Sequence, residues 1–242
     1  VYTLPRAVNL DGEIIRALQP IGLAETVQKM MQPLRCGERA GFANAKREWL
    51  FGVDAQPTGS NGWQPANMFD QPELEAFLRG TALSHANVTT YIGYEMTKFF
   101  NDSSHVTLQA RRPDHEVTLK AHYLVACDGA NSPLRKQAGF TVIDQSRNET
   151  ALVTSVHTER PIGTIAYQRF LPSGPLALMP TSTKTASIVW SLPKSQAEAL
   201  ARQDINSFED NLNAAFGNYL GRLTPASTLN LASKTTFLSA HQ

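Results

Sequence analysis

The run Tyr123–Lys136, YLVACDGANSPLRK, decides how the rest of the chain is read. An apolar strand, Tyr123-Leu124-Val125-Ala126-Cys127, runs into Asp128-Gly129, a small polar turn and then a basic helix start with Arg135 and Lys136. That order puts backbone amides and one carboxylate where they can hold a cofactor's phosphates and sugar hydroxyls. Gly129 has no Cβ to keep a pyrophosphate away from the backbone N–H groups, and Arg135, about one helical turn on, supplies a cation. The same residues also fit a plain Asp-Gly β-turn followed by a capped helix.

Upstream of this run the residues alternate with period two. Val88–Ile92, Tyr94–Phe100, His105–Gln109 and Val117–Val125 read as strands, broken at 101–104 and 112–114, and three of them form a meander that ends at the turn. Before them, Asp70-Gln71-Pro72-Glu73 opens a helix to about Ser84, with Leu74, Phe77 and Leu78 on one face. Leu10, Ile14, Ile15, Leu18 and Ile21 predict one short helix, and 24–31 a second. Strand-like runs at 34–42 and 46–53 precede a Gly-, Pro- and Asn-rich loop over 56–66.

Downstream, a helix over 133–138 leads to strands at 151–157, 165–170, 175–179 and 185–192, helices at 195–203 and 205–216, and a last strand over 228–238. Hairpins beside parallel crossings argue for a mixed α/β (α+β) chain with two sheets serving different jobs.

The chain has 242 residues, 42% hydrophobic and 18% charged, which is enough to bury a sizeable core. A net charge of +1 with scattered Lys and Arg gives no broad field for nucleic acid. Cys36 and Cys127 show no metal or disulfide framework and read as reduced thiols of a cytoplasmic protein. No window approaches the roughly 20 apolar residues of a membrane span. The six histidines are dispersed, with no metal-ligand spacing, and no G-x-S-x-G elbow follows a strand.

At its full length, 123–136 closely resembles the second cofactor fingerprint of FAD-dependent aromatic hydroxylases of the p-hydroxybenzoate hydroxylase type, the class A flavoprotein monooxygenases. Two patches look like the hydroxyphenylpropionate hydroxylase branch. In Leu4-Pro5-Arg6-Ala7-Val8-Asn9-Leu10-Asp11 the resemblance puts Arg6 at the FAD phosphate or ribose. In Asn67-Met68-Phe69-Asp70-Gln71-Pro72-Glu73 it puts Gln71 at the ribityl and pyrophosphate. From the residues alone, Arg6 is equally a surface arginine and Gln71 part of a helix opening.

The stretches 166–170, 174–180, 187–193 and 216–221 instead resemble substrate-domain strands of ubiquinone-biosynthesis hydroxylases, which implies that Tyr167, Arg169, Met179 and Trp190 line the substrate cavity. Read by themselves, Met179 and Trp190 suit core packing and the other two a sheet surface.

The resemblance implies a partial FAD-binding Rossmann-like domain with a β-meander (1–33 and 67–149), interleaved with a substrate domain on a mixed or antiparallel sheet (34–66 and 150–242). It implies an enzyme in which NAD(P)H reduces FAD and one atom of O2 is passed to a phenolic or quinone-precursor ring, with Arg6, Gln71, Asp128, Gly129 and Arg135 at the cofactor. Family members begin with a βαβ unit carrying G-x-G-x-x-G and later carry a Gly-Asp motif, and neither occurs in these 242 residues. The expectation is therefore weak or no FAD binding by the chain as given, and exposed sheet edges that a partner chain or second copy would cover. The alternative is a non-catalytic binding or scaffold protein derived from the same fold.

Overall fold

The structure, a computed structural model, describes residues 9–33, 39–54, 56, 58–102, 104–146, 148–163, 166–217, 220–226, 230–232 and 236–241. Arg6 and Cys36 lie outside the described residues. Contacts divide the chain into two units, 1–80 with 148–235 and 81–147 with 236–242. This cut differs from the expected grouping of 1–33 with 67–149. It joins the first eighty residues to the large sheet and gives the meander and the 123–136 run a unit of their own.

The first unit begins with β1 (Asn9–Asp11) and α1 (Gly12–Ala17), which starts where the Asp11 carboxylate accepts the Ile14 N–H at 3.0 Å. A 3-10 turn, Gln19–Ile21, closes at Gly22 and leads to α2 (Ala24–Lys29) and β2 (Gln32–Pro33). Then come the hairpin β3 (Arg39–Asn44) and β4 (Trp49–Asp54), β5 (Ala66–Met68) and α3 (Gln71–Leu83). β5 is the middle strand of the sheet β1-β5-β2, and Ile15, Val27, Met31, Phe69 and Leu74 form the core over it. Buried Asn67 pins this layer: its amide donates to Leu10 O (3.2 Å) and Gln64 O (2.8 Å) and accepts from Gln28 Nε2 (2.7 Å).

The second unit is the antiparallel meander β6 (Glu95–Asn101), β7 (Val106–Arg112), β8 (His115–Ala121), followed by α4 (Pro133–Gln137) and β9 (Thr141–Ser146). The meander matches the expectation, but its first expected strand does not form. Residues 88–91 are irregular and 92–93 turn, with Ile92 72% exposed, so the alternation there had no neighbour to pack against. β8 also stops at Ala121, and Tyr123–Cys127 runs on without joining a ladder among the described residues.

The chain returns to the first unit with β10 (Glu149–Thr158), β11 (Tyr167–Leu171), β12 (Gly174–Pro180) and β13 (Thr185–Pro193). After these come α5 (Lys194–Ala201), α6 (Ile205–Phe216), β14 (Leu223–Pro225) and β15 (Asn230–Ala232). The eight-stranded sheet runs β14-β10-β13-β12-β11-β3-β4, with β15 also on β10. Every pairing is antiparallel except β11 with β3, and that parallel pair is what ties 39–54 into the sheet.

On α6, Phe208, Leu212 and Phe216 recur every four residues and are buried, so one apolar stripe faces the sheet. The expected last strand divides in two: β15 pairs with β10, while β16 (Thr236–His241) pairs with β9 in the second unit. No helix among the described residues is long and apolar enough to cross a membrane.

Candidate functional site

In the second unit, the Asp128–Gly129 bend sits between the 123–127 run and α4. Asp128 Oδ1 accepts the Ser132 hydroxyl at 2.6 Å, and Oδ2 accepts the Leu134 N–H at 3.2 Å. Ser132 Oγ in turn accepts the Arg135 N–H at 2.9 Å, so one carboxylate and one hydroxyl close the first turn of the helix. The Arg135 guanidinium reaches back to Ala130 O and holds the bend from the other side. The two readings of this run are therefore superposed: it is a helix start capped by Ser132, and that cap is tied to the acidic residue of the bend.

The Ser132 hydroxyl first, and the Leu134 amide after it, hold the Asp128 carboxyl below the usual aspartate range. A carboxyl lowered on folding contributes stability above its unfolded pKa of about 3.9 and loses it as pH falls through the folded value. We expect the Leu134 amide to be protected at neutral pH and to open only as pH falls below the usual aspartate range. Ser132→Ala should move that opening to higher pH, read by hydrogen exchange or by the carboxyl carbon shift of Asp128.

Gly129 has φ +88°, and a Cβ built there meets nothing within 4 Å. The glycine is thus required by backbone conformation, while the space beside it is open to a ligand. Asp128 retains acceptor capacity beyond its two bonds. A cavity of about 390 Å3 adjoins the bend, lined among others by Phe99, Val106, Leu124, Ala126 and Phe140 with Asp128 and Arg135 at its polar end. The donor set, an open glycine bend with a carboxylate and a guanidinium, fits the sugar and phosphate part of a dinucleotide.

Gln71 belongs to the first unit, at the start of α3. Asp70 Oδ1 accepts the Glu73 N–H at 3.0 Å, so Asp70 is the cap. Gln71 shares a mostly apolar cavity of about 480 Å3 with Phe69, Leu74, Glu75, Leu78 and Arg79.

The four residues expected at the substrate are divided by the pleat of the large sheet. Tyr167 pairs with Leu178, and Arg169 with Leu176. Leu176 and Leu178 pair with Trp190 and Ile188. All of these lie on the face packed against Ala197 of α5 and Phe208, Leu212 and Phe216 of α6. Met179, opposite Ser187, is on the other face with Gln168, Ala177 and Val189.

Arg169 is 4% exposed, and its guanidinium donates to Ala215 O at 2.6 Å, to Phe216 O and to Ala45 O. It caps the carbonyl end of α6, where a cation also meets the negative end of the helix dipole. Burial lowers its pKa. Trp190 Nε1 is buried without a partner among the described residues. The alternation that separates these residues is visible in the sequence, since 167, 169 and 171 share one parity and 168 and 170 the other. Which parity the helices cover is fixed only by packing.

The FAD binding domain family matches residues 1–238. The chain belongs to that family. It is 39% identical over 100 residues to the mitochondrial ubiquinone biosynthesis monooxygenase COQ6 of Danio rerio, covering 41% of this chain and 21% of that protein. It is 30% identical over 165 residues to the 3-(3-hydroxy-phenyl)propionate/3-hydroxycinnamic acid hydroxylase of Comamonas testosteroni, covering 68% of this chain and 27% of that protein. The flavin-dependent monooxygenase PieE, solved with FAD and substrate, superposes with a TM-score of 0.77 at 16% identity over 99% of this chain and 44% of its own. The matches thus span about a quarter of the curated relatives' length, and the solved neighbour establishes the α/β fold.

Proposed function

We propose that this chain is part of an FAD-dependent monooxygenase that hydroxylates an aromatic ring with NAD(P)H and O2. The observation that carries the proposal is the Asp128–Gly129 bend, preorganised by Ser132, Leu134 and Arg135 and open at the glycine, in a chain of the FAD binding domain family. Asp128 accepts sugar hydroxyls, and the backbone around Gly129 and the Arg135 side chain take phosphate oxygens; Arg6 and Gln71 are carried as further cofactor residues by the family resemblance alone. The flavin, once bound and reduced, supplies the oxygen chemistry. The protein's part is to orient the ring and exclude water.

For the ring we assign the face of the large sheet that carries Met179, with Ala177 and Val189 as apolar wall and Gln168 as polar group. Ser187, 1% exposed with its hydroxyl unpartnered among the described residues, stands beside Met179. Tyr167, Arg169 and Trp190 support that face from behind. Relatives named as ubiquinone-biosynthesis and hydroxyphenylpropionate enzymes support a phenolic or quinone-precursor ring. A cytoplasmic location rests on the reading of Cys36 and Cys127 as thiols, and Cys127 is free and exposed; the COQ6 relatives carry a mitochondrial name.

The deciding measurement, made on the whole monooxygenase of which this chain is proposed to be part, is flavin binding by fluorescence titration, together with NAD(P)H oxidation that rises on adding phenolic substrates. Asp128→Asn, which keeps a capping oxygen but removes the charge, should weaken FAD about tenfold or more. Gly129→Ala should cost about 1–2 kcal/mol of backbone strain at the bend and weaken FAD likewise. Flavin affinity unmoved by both changes would remove the bend from the cofactor site. Tight flavin binding with no NAD(P)H oxidation would select the non-catalytic alternative.

A further inference from the structure

The histidines have no metal-ligand spacing along the chain, but the register of the meander brings two of them together. β7 and β8 pair antiparallel up to Val106 opposite Ala121, so His105 and His122 are the next opposed residues, one step past the end of the ladder. Their rings lie face to face, with centroids 5.1 Å apart and planes 27° from parallel. Both side chains are exposed and border a surface cavity of about 880 Å3 together with Asp102, Ser104 and Tyr123. The charged groups beside the pair are Asp102, whose N–H donates to His105 O at 3.0 Å, and Lys120, which shares the face of His122 two residues before it. Hydrogen bonding decides which nitrogen of His105 is free. A carboxylate only accepts, so the Ser104 hydroxyl, 3.0 Å from Asp102 Oδ1, donates its proton there. The Ser104 oxygen is then the acceptor, at 2.8 Å, for His105 Nδ1–H, and neutral His105 keeps its lone pair on Nε2. The amides of Ser104 and His105, and after them the Ser104 hydroxyl, hold the Asp102 carboxyl below the usual aspartate range, so it stays ionised and accepting.

We propose that His105 Nε2 and a ring nitrogen of His122 form a two-imidazole site for one borderline divalent cation, Zn2+ or a similar first-row ion, with water filling the remaining positions. A carboxylate that orients an imidazole by one nitrogen and leaves the other for the ion is the usual support of a metal-binding histidine, and Asp102 acts here through Ser104. Neither ring nitrogen of His122 is hydrogen-bonded among the described residues, so that ring turns about its Cβ–Cγ bond at little cost and keeps its centroid in place. With Zn–N bonds of about 2.1 Å and a tetrahedral angle, two imidazoles on one ion stand about 5 Å apart between centroids, which is the spacing found. No group of three or more His, Cys, Asp or Glu side chains able to hold a metal occurs among the described residues, so the ion is exchangeable and of modest affinity, unlike a four-ligand structural zinc. Bound there, it links the start of β7 to the end of β8, where the chain leaves for the Asp128 bend. The proposal does not depend on the flavin reading, because it uses only the meander.

The test is a Zn2+ titration of the whole chain after removal of metal with a chelator, followed by nitrogen NMR of the histidine rings. The expected result is one-to-one binding in which His105 and His122 shift while His85, His115, His157 and His241 do not. Ser104→Ala should weaken binding about tenfold or more, because it releases His105 to either tautomer, and Ser104→Thr, which keeps the hydroxyl, should restore it. His122→Ala removes a ligand and should weaken binding at least as much. Without metal these variants should melt as the wild type does, since Ser104 and His122 are exposed. Zn2+ affinity unchanged in His122→Ala overturns the proposal. Ring shifts spread over all six histidines overturn it as well, in favour of adventitious surface binding.

Discussion

Replacing Arg169 with alanine is expected to destabilise the protein by roughly 3 kcal/mol or more, because carbonyl oxygens of Ala215, Phe216 and Ala45 lose a buried charged donor together. In a chain of this size that is a fall in melting temperature of about 6–12 °C, measurable by thermal or urea unfolding. Arg169→Lys should recover only part of the loss, since one ammonium cannot match a fork that reaches two separate segments. The same variants decide between two roles. A residue capping α6 lowers stability and leaves flavin affinity unchanged in the surviving folded protein. A residue in contact with the ring would raise KM at constant melting temperature, and that outcome would move Arg169 back to the substrate wall.

Arg169 also marks the limit of what the chain's letters reveal. Local order was legible where periodicity and punctuation agree: Asp204 followed by an apolar stripe gives α6 its range, and Asp70-Gln71-Pro72 gives α3 its start. The meander was legible for the same reason, with turns at 102–105 and 113–114 separating alternating runs. Partnership was not. Residues 88–92 alternate as well as any strand here, yet join no sheet among the described residues, and 228–238 reads as one strand although residues 230–232 and 236–238 join different sheets. Strand pairing is a property of distant neighbours, which a window of ten residues does not contain.

The candidate site shows the same division. The Asp128–Gly129 bend is set by local chemistry, and the sequence located it. Ser132, which ties the carboxylate to the helix start, was present in the quoted run but carries no signal until Oγ is seen between Asp128 and Arg135. On the large sheet, alternation separates two faces without saying which one the helices cover; the family resemblance groups Tyr167, Arg169 and Trp190 with Met179, and the pleat sets them apart.

Gly174 is where that pleat is locked. It opens β12 opposite Leu171, across the two-residue turn Pro172-Ser173, with φ +129°. A Cβ at this position would lie 2.1 Å from Ser191 O, a backbone atom of the neighbouring strand, so an alanine must displace β13 or twist the turn. Strain at such a φ and overpacking each cost about 1–3 kcal/mol, and together Gly174→Ala should lose roughly 2–6 kcal/mol. The consequence reaches the function because a register error of one residue in β12 exchanges its two faces. Met179 would enter the α5–α6 core, and Leu178 would take its place on the face proposed for the ring. The variant is therefore expected to melt earlier and to change the near-ultraviolet circular dichroism of Trp190, which stands opposite Leu176. Pro172→Ala, in the same turn but not at the forbidden φ, should leave that spectrum unchanged. Wild-type stability and an unaltered Trp190 signal in Gly174→Ala would show that the sheet tolerates the added atom, and that the separation of Met179 from Arg169 does not depend on this turn.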